Sequence, residues 1–452
     1  MGGRAVILGV ILALGGLARA EEQAPNIVLM LADDQSWMGT SVRAHPDVAP
    51  GDLPFHTPHL ERLAAQSMRF TSAYAPAPKC APSRASIMTG MNPARLGWTT
   101  QGRNGRDGRR GLGALQDTFA ELLQDAGYRT AHFGKWHIQG GGPEAHGFDV
   151  SDGNIGNEAA GQYADPNPTD IFGMAERAES FMRSAHREGR PFFVQLSWLA
   201  LHAPQNALES TKARYNATTD LRRRDANRLA LTEDLDTGVG RVLNAIEQLG
   251  LTGTTYVIYM SDNGGQGAET APLRGGKGNI YEGGIRVPLL IRGPGIEANS
   301  WCHAPVVGYD LFPTFTSWAG VTLDQSLQLD GGSLAALARG DAAQVDRRSD
   351  GLVFHYHSQS ALHVDGYKLL VDLATGTAAL YDLGADIGEQ HDLSSDLPDR
   401  RAAMQVQLSQ ALQEMGIDPS DDTAGRDRAT RDGDTQRRRG RRDRDASRSR
   451  ER

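Results

Sequence analysis

Short apolar strands alternate with helices over the first two thirds of the chain, and this alternation limits the fold more than any other feature of the sequence. Residues 26–31 form an almost wholly apolar run, which is typical of a strand buried on both faces. Helices separated by such strands predict an α/β domain with a mostly parallel sheet flanked by helices. The further strands are predicted at residues 128–134, 191–198 and 255–261, and the helices at residues 58–64, 117–127, 171–188 and 225–249. Residues 70–74 are expected to form a short strand or an extended connector.

A second, smaller unit is expected towards the C-terminus. The chain has 452 residues, more than the roughly 250–300 at which a single hydrophobic core usually stops growing. After about residue 337 the helix–strand alternation gives way to short strands at residues 352–357, 363–372 and 378–383, followed by a helix at residues 398–415. We therefore expect a main domain of residues 21–337 and an α+β subdomain of residues 338–417. Residues 418–452 are rich in Arg and Asp and almost free of apolar residues, which predicts a disordered tail.

The N-terminus has the pattern of a signal peptide. Arg4 precedes an apolar run at residues 5–17, and the small residues Ala18 and Ala20 follow it. The apolar run is shorter than the roughly 20 residues of a membrane-spanning helix, and no later run reaches that length. We therefore expect a signal peptide of residues 1–20, no membrane span, and an exported protein that is periplasmic or secreted.

The distribution of charge argues against a nucleic-acid partner. The formal net charge is −8, yet residues 426–452 contain twelve arginines against six acidic residues. The rest of the chain is therefore more acidic than the total suggests. A main domain with this net negative charge repels the phosphate backbone of nucleic acids, so we predict that it binds no nucleic acid.

Polar clusters follow four of the predicted strands, and the carboxyl ends of parallel strands meet at one edge of a sheet. We therefore expect these clusters to form one pocket. The oxygen donors among them are those that Ca²⁺ or Mg²⁺ prefers. Taken singly, Asp33 also fits a helix N-cap and residues 262–264 an ordinary turn. The clusters contain Asp33 and Asp34, residues 134–137, His202, and Asp262 with Asn263.

The segment Cys80-Ala81-Pro82-Ser83-Arg84 resembles the signature of the type I, formylglycine-dependent sulfatases of the alkaline-phosphatase-like superfamily. The resemblance continues in family order along nearly the whole mature chain. The alternatives for Cys80 are a disulfide with Cys302, the other cysteine, or an inert buried thiol. The other matching segments are residues 27–34, 57–74, 134–137, 261–264, 273–278, 281–284 and 380–383.

This resemblance implies a role for each polar cluster. Cys80 would be oxidised to formylglycine by a maturation enzyme, and the aldehyde hydrate would attack sulfur. A cation, Ca²⁺ in preference to Mg²⁺, would activate that hydrate. Taken singly, Lys135 and Lys277 also fit solvated surface lysines, and His202 fits a loop residue whose hydrogen bonds are made by the backbone. The glycines around Lys277 also fit a flexible loop. The implied roles are orientation of the hydrate by Arg84, neutralisation of sulfate by Lys135 and Lys277, base catalysis by His137, protonation of the leaving alcohol by His202, and cation binding by Asp33, Asp34, Cys80, Asp262 and Asn263.

The sequence suggests the class of substrate but does not identify the residues that bind it. Arg103 and Arg109 lie in an Arg- and Gly-rich stretch, and His355 and His357 begin the C-terminal subdomain. These four residues are candidates for binding a sulfated carbohydrate, although solvated loop charges and a strand histidine pair explain them equally well. The expected function is an exported sulfatase acting on a carbohydrate sulfate ester. The alternatives are a phosphonate or phosphate ester hydrolase of the same superfamily and a non-catalytic glycan-binding relative.

Overall fold

The computed structural model describes residues 24–100, 111–113, 117–218 and 222–418. The expected signal peptide and residues 419–452 of the expected tail lie outside these ranges. The strands are β1 (Asn26–Ala32), β2 (Met68–Phe70), β3 (Ala73–Tyr74), β4 (Arg129–Gly134), β5 (Val150–Ser151), β6 (Phe192–Ser197), β7 (Thr255–Ser261), β8 (Leu289–Arg292), β9 (Ser300–Cys302), β10 (Val306–Val307), β11 (Leu352–Tyr356), β12 (Gln359–Val364), β13 (Tyr367–Asp372) and β14 (Thr377–Asp382). The helices are α1 (Pro58–Ala65), α2 (Cys80–Thr89), α3 (Phe119–Asp125), α4 (Ile171–Arg187), α5 (Glu209–Thr218), α6 (Arg223–Gln248), α7 (Glu282–Ile285), α8 (Leu311–Trp318), α9 (Ala335–Ala338) and α10 (Pro398–Glu414).

The main sheet is mixed and mostly parallel: the alternation predicted its parallel strands, and the family resemblance implied a mixed sheet. Its strand order is β5-β4-β6-β1-β7-β8-β2-β9. Strands β4, β6, β1 and β7 run parallel to one another, and β8 pairs antiparallel with both β7 and β2. The four central parallel strands are the four whose ends carry the polar clusters, so these clusters lie at one edge of the sheet.

Both faces of the main sheet are buried, and β1 shows why its sequence has no polar alternation. Ile27, Leu29 and Leu31 pack into a core that also contains residues of α3 and α8. Val28 and Met30 point to the other face and pack with residues of α1, α4 and α6. Because successive side chains of a strand face opposite sides, a strand between two helical layers must be apolar at every position.

The C-terminal part of the described chain forms an antiparallel sheet of order β11-β12-β13-β14, against which α10 packs. The single strand predicted at residues 363–372 is wrong, because the structure has two strands there, β12 and β13. They are joined by Asp365 and Gly366, both with positive φ (51° and 79°). Asp-Gly is a strong signal for a tight hairpin turn, and here it divides one apolar stretch into two strands.

The connector predicted at residues 70–74 is in fact two short strands in different sheets. Strand β2 pairs with β8 and β9 in the main sheet, whereas β3 pairs with β10 in a separate two-stranded sheet. The chain crosses between them at Thr71 and Ser72, where the Thr71 backbone amide donates to the carbonyl of Cys302 (2.9 Å).

A buried ion-pair cluster connects the C-terminal sheet to the main domain. The ammonium of Lys368, on β13, lies 2.8 Å from Glu282 Oε1 and 2.9 Å from Glu389 Oε1, and all three side chains are buried. Glu282 begins α7, and its other oxygen accepts a hydrogen bond from the Tyr74 hydroxyl (3.0 Å). Burial alone would raise the pKa of Glu282, but Lys368 and Arg286 outweigh it and lower that pKa to about 2. The carboxylate therefore stays charged and holds the two parts of the chain together.

No helix in the described ranges is both long enough and apolar enough to cross a membrane.

Candidate active site

The ends of β1 and β7 bring the predicted oxygen ligands together. Asp33 and Asp34 follow β1, and Asp262 and Asn263 follow β7, which pairs with β1 in parallel register. The backbone amide of Asp34 donates to Asp262 Oδ1 (3.3 Å), and that of Asp262 to the Ala32 carbonyl (3.1 Å). One carboxylate oxygen from each of the three aspartates and the sulfur of Cys80 all lie within 4.8 Å of one another. These side chains are buried, so four sequence-predicted residues form one cluster.

Cys80 is the first residue of α2, and every residue of this helix is buried. Its Sγ lies 3.3 Å from Asp33 Oδ1 and accepts a hydrogen bond from Lys277 Nζ (3.3 Å). Cys80 and Cys302 are both free thiols, so the structure contains no disulfide between them. Burial, and then the charge of Asp33, raise the pKa of the Cys80 thiol well above its usual value.

Arg84 and Lys135 lie inside the cluster and are buried, not solvated. Arg84, one turn after Cys80, donates from Nε to Asp262 Oδ2 (2.8 Å) and from Nη1 to the Lys135 carbonyl (2.6 Å). Lys135 Nζ donates to Asp33 Oδ2 (2.6 Å). Burial alone would raise the pKa of Asp33, but Lys135 and then Arg84 outweigh it and hold that pKa far below its usual range.

A tight turn after β4 presents Lys135 and His137 to the site. At Gly134, with φ of 90°, a Cβ would lie 2.3 Å from the Ser197 carbonyl oxygen, so only glycine fits between β4 and β6. His137 itself has a positive φ of 64° and its backbone amide donates to the Ile155 carbonyl (3.0 Å). Burial, followed by Lys135 and Arg84, lowers the pKa of His137 to about 3. Its imidazole is therefore neutral at pH 7 and able to accept a proton.

Lys277 is carried by a glycine-rich segment that packs against the loop after β7. The Lys277 backbone amide donates to the Gly265 carbonyl (2.9 Å), and a Cβ at Gly276 would lie 2.8 Å from the same oxygen. This glycine is thus explained by close contact between two loops. The packing places Lys277 Nζ in an ion pair with Asp34 and beside Cys80.

His202 stands at the wall of a cavity of about 720 Å³ that opens above this cluster. The cavity is lined by Asp34 and Lys277 from the cluster together with further polar residues. The ring Nδ1 of His202 lies 2.7 Å from the Ala203 carbonyl. With Nδ1–H donating there, Nε2 is the ring nitrogen left for a ligand. Burial lowers the pKa of His202, and Lys135 and Lys277 add to this while Asp33 opposes it.

The donor set fits a hard divalent cation. Asn263 Nδ2 donates to Asp34 Oδ1 (2.8 Å), whereas its Oδ1 is buried without a hydrogen-bond partner among the described residues. An unpartnered buried amide oxygen is costly unless something binds it. Together with the carboxylates of Asp33, Asp34 and Asp262 it supplies the oxygen ligands that Ca²⁺ and Mg²⁺ prefer.

The structure gives less support to the predicted substrate contacts. Arg103 and Arg109 lie outside the described residues. His355 is buried within the C-terminal sheet, where its Nδ1 lies 2.8 Å from Ser360 Oγ and burial lowers its pKa to about 4. The backbone amide of His357 donates to the Thr99 carbonyl (2.8 Å). Neither histidine is among the described residues that line the cavity.

Reasoning from strand ends missed several residues of the cavity wall. Arg228 comes from the interior of α6, where its Nε lies 3.1 Å from Glu269 Oε1. The periodic pattern of a helix does not show whether such a residue faces the core or a cavity. Lys79 directly precedes Cys80, and this adjacency was an available signal. The missed wall residues are Lys79, Gln205, Asn227, Arg228 and Gln266.

Comparisons with known proteins agree with this site. The family model described as Sulfatase matches residues 25–321. N-acetylgalactosamine-6-sulfatase of Rattus norvegicus is 31% identical over 371 residues, which cover 72% of this chain and 68% of the relative. Human arylsulfatase A is 30% identical over 479 residues, which cover 90% of each chain.

Among solved structures, the crystal structure of Ps i-CgsB in complex with k-i-k-neocarrahexaose superposes with a TM-score of 0.74 at 25% identity, covering 86% of this chain and 93% of that one. The residues matched by the family model span the strand ends that carry the buried cluster. This chain therefore belongs to the sulfatase family of the alkaline-phosphatase-like superfamily and is a sulfuric ester hydrolase.

Proposed function

We propose that this protein hydrolyses a carbohydrate sulfate ester, using a hydrated formylglycine made from Cys80 and a bound divalent cation. The observation that carries the proposal is the position of Cys80. Its Sγ lies within 3.3 Å of both Asp33 Oδ1 and Lys277 Nζ, beneath a cavity large enough for a sugar. Asp34 and Lys277, which both contact Cys80 Sγ, line this cavity, so a sulfate bound against them would lie next to residue 80.

An unmodified thiol at residue 80 is a poor nucleophile. The thiolate is the reactive form, and burial together with Asp33 raises the pKa of Cys80 so that the neutral thiol dominates at pH 7. Conversion to an aldehyde avoids this difficulty. The hydrate of the aldehyde has two hydroxyl groups, whose oxygens are hard ligands like the carboxylates around them, so the divalent cation can bind and activate one of them. The proposal therefore requires a partner, a maturation enzyme that supplies the oxidant for this conversion and removes the sulfur.

The first chemical step transfers the sulfuryl group to residue 80. One hydroxyl of the hydrate gives its proton to the carboxylate of Asp262 and attacks sulfur. The bond from sulfur to the alcohol oxygen breaks, and the alcohol leaves with a proton from His202. A carboxylate oxygen of Asp262 lies within 4.8 Å of the sulfur of residue 80, and burial together with Asp33 raises the pKa of Asp262 to about 6, so this carboxylate can accept the proton. Lys135 and Lys277 offset negative charge on the sulfate oxygens, and Arg84 holds the attacking group in place. The low pKa of His202 in the free protein rises when an anionic ester binds beside the ring, which favours the protonated form at that moment.

The second step releases sulfate without a water molecule attacking sulfur. His137 takes the proton of the remaining hydroxyl, the bond from carbon to the sulfate oxygen breaks, and the aldehyde re-forms. Water then adds to the aldehyde and restores the hydrate. The neutral imidazole expected from the lowered pKa of His137 is the form that this proton transfer needs.

Charge balance supports both the cation and an anionic substrate. The three cations Arg84, Lys135 and Lys277 match the three carboxylates Asp33, Asp34 and Asp262. A divalent cation held by Asp33, Asp34, Asp262, Asn263 and residue 80 would polarise the nucleophile and a sulfate oxygen. It would also leave the site with a net positive charge, which an anionic ester offsets.

A carbohydrate is the substrate class best supported. The rat relative is named for a sulfated sugar, and the structural neighbour was crystallised with neocarrahexaose, an oligosaccharide by its name. The cavity wall of this chain contains amide side chains, Gln205, Asn227 and Gln266, which suit sugar hydroxyl groups. Residues 1–20 are consistent with export of the enzyme to the periplasm or the medium.

Removal of the cation should abolish turnover. After exhaustive chelation we expect activity at background, restored by Ca²⁺ or Mg²⁺ and not by Zn²⁺ alone, since all the protein donors apart from residue 80 are oxygen atoms. Ca²⁺ is favoured because a site rich in carboxylates replaces most of the waters that Mg²⁺ tends to keep. Metal analysis alongside the assay is the measurement. Full activity in a sample with no bound metal would refute the cation site.

The substrate assignment is tested with a sulfate ester and a phosphate ester of the same sugar alcohol. We expect kcat/KM for the sulfate ester to exceed that for the phosphate ester by at least about a hundredfold, roughly 2.7 kcal/mol of transition-state discrimination. The reverse order would favour a phosphate or phosphonate ester hydrolase. Tight glycan binding by fully matured protein, with no turnover of either ester, would favour a non-catalytic glycan-binding protein.

A further inference from the structure

Lysine is scarce in this chain, and its few positions are informative. Of the 47 basic residues only five are lysines, so arginine is the ordinary surface cation here. Lys135 and Lys277 belong to the buried cluster, Lys368 is buried between two glutamates, and Lys212 forms an ion pair with Glu209 on α5. The fifth, Lys79, lines the cavity.

Lysine is an unfavourable residue type at position 79. It is the N-cap residue of α2, with φ of −146° and ψ of 148°, and its side chain makes no capping hydrogen bond. Ser, Thr, Asp and Asn are favoured at this position because they accept from the exposed backbone amides. A positive charge at the positive end of a helix is also unfavourable. A residue that breaks two local rules beside an active site is expected to serve a ligand.

The side chain of Lys79 extends over the loop that carries Lys277. A Cβ at Gly278 would lie 3.2 Å from Lys79 Cε and 3.5 Å from its Nζ. The Gly278 backbone amide donates to the Pro78 carbonyl (2.9 Å), which holds the two segments together. The half-buried Lys79 and Lys277 therefore lie on adjoining segments and line the same cavity, close enough for their positive charges to repel each other.

Lys79 differs from the other cations of the site in its partners. Lys135 is paired with Asp33, Lys277 with Asp34, and the wall residue Arg228 with Glu269. No carboxylate in the described ranges of the chain forms an ion pair with Lys79. The site thus has one cation beyond those that balance its own acids.

We propose that Lys79 binds a second anionic group of the substrate. This group is a carboxylate or a second sulfate on the sugar part of the substrate, close to the sulfate that is hydrolysed. The proposal rests on the proposed function, because it states what kind of alcohol leaves in that reaction, namely a sugar that carries a second negative charge. An anion there would relieve the repulsion between the ammonium groups of Lys79 and Lys277. The cavity of about 720 Å³ leaves room for a charged sugar beyond the sulfate itself.

The test compares three substrates that share one scissile ester. They are N-acetylgalactosamine 6-sulfate, its 4,6-disulfate, and the disaccharide in which glucuronate is attached to the 6-sulfated sugar. We expect wild-type kcat/KM to be at least tenfold higher for one of the charged substrates than for the first. Which charged substrate is preferred identifies sulfate or carboxylate as the group bound. In Lys79→Met this preference should fall at least fivefold, and Lys79→Arg should restore most of it.

Lys212→Met is the matched control, since Lys212 is not among the described residues that line the cavity and its loss should leave the wild-type preference unchanged. Unchanged thermal unfolding and metal content of Lys79→Met exclude a general loss of structure. Equal preference in wild type and Lys79→Met, or a wild-type enzyme that cleaves all three sugars without preferring a charged one, would overturn the role of Lys79 alone. Failure to cleave any sulfate ester, 4-nitrophenyl sulfate included, would overturn the proposed function instead.

Discussion

Replacement of Cys80 by alanine is expected to lower kcat by about 10⁴-fold to 10⁶-fold, the size of loss seen when a nucleophile is removed from a hydrolase. Alanine cannot be converted to an aldehyde, so neither hydroxyl of the hydrate would exist. The fold should survive, because the change removes one buried sulfur at the start of α2. Cation binding should be weakened but retained, since Asp33, Asp34, Asp262 and Asn263 remain.

Cys302→Ala is the matched control for this variant. Cys302 is the other buried free thiol, and it lies on β9 outside the cluster. It should retain wild-type kcat, because it takes no part in the proposed chemistry. Steady-state assays, with thermal unfolding and metal analysis on both variants, provide the measurement. Substantial turnover by Cys80→Ala would refute residue 80 as the nucleophile.

Variants that lack His137 or His202 should be defective in different steps of the reaction. His137→Ala is expected to release one equivalent of alcohol rapidly and then stall as a covalently sulfated enzyme, because the proton needed for release of sulfate has no acceptor. His202→Ala should slow the first step by roughly 10²-fold to 10⁴-fold on a sugar sulfate. The defect should shrink on an activated aryl sulfate, since a phenolate-like leaving group needs little protonation.

Pre-steady-state bursts on an aryl sulfate, beside steady-state rates on a sugar sulfate, separate these roles. His186→Ala, on the last turn of α4 and remote from the site, should behave as wild type in both assays. If neither His137→Ala nor His202→Ala accumulates sulfated enzyme, and both lose the same activity on the two substrates, a shared binding role would explain them better.

The sheet and the buried cluster were predictable because both follow from strand geometry. An apolar run such as that of β1 is required when both faces of a strand are covered, and the polar residues that follow β1 and β7 must then meet at one edge. Asp33 and Asp262 could therefore be assigned to one site without knowledge of the tertiary structure. The structure adds that Lys135 and Arg84 are buried within it.

Other features depend on packing that no local pattern records. Arg228 lies in the second turn of α6, and its place in the cavity wall depends on how that helix packs against the sheet. The antiparallel strand β8 is only four residues long, too short for a periodic signal. His355 had the residue type of a substrate contact, yet a bond to Ser360 accounts for it within the C-terminal sheet. The residues that bind the sugar are therefore the part of the site least accessible from sequence.

The claim at the centre of this account is that residue 80 of the active enzyme is an aldehyde. Mass spectrometry of the peptide containing Cys80, taken from protein whose specific activity has been measured, tests it directly. We expect this peptide to be lighter by about 18 Da than its thiol form, with the modified fraction rising in proportion to activity across preparations. A fully active preparation in which the peptide has the thiol mass, or is linked to the peptide containing Cys302, would contradict it.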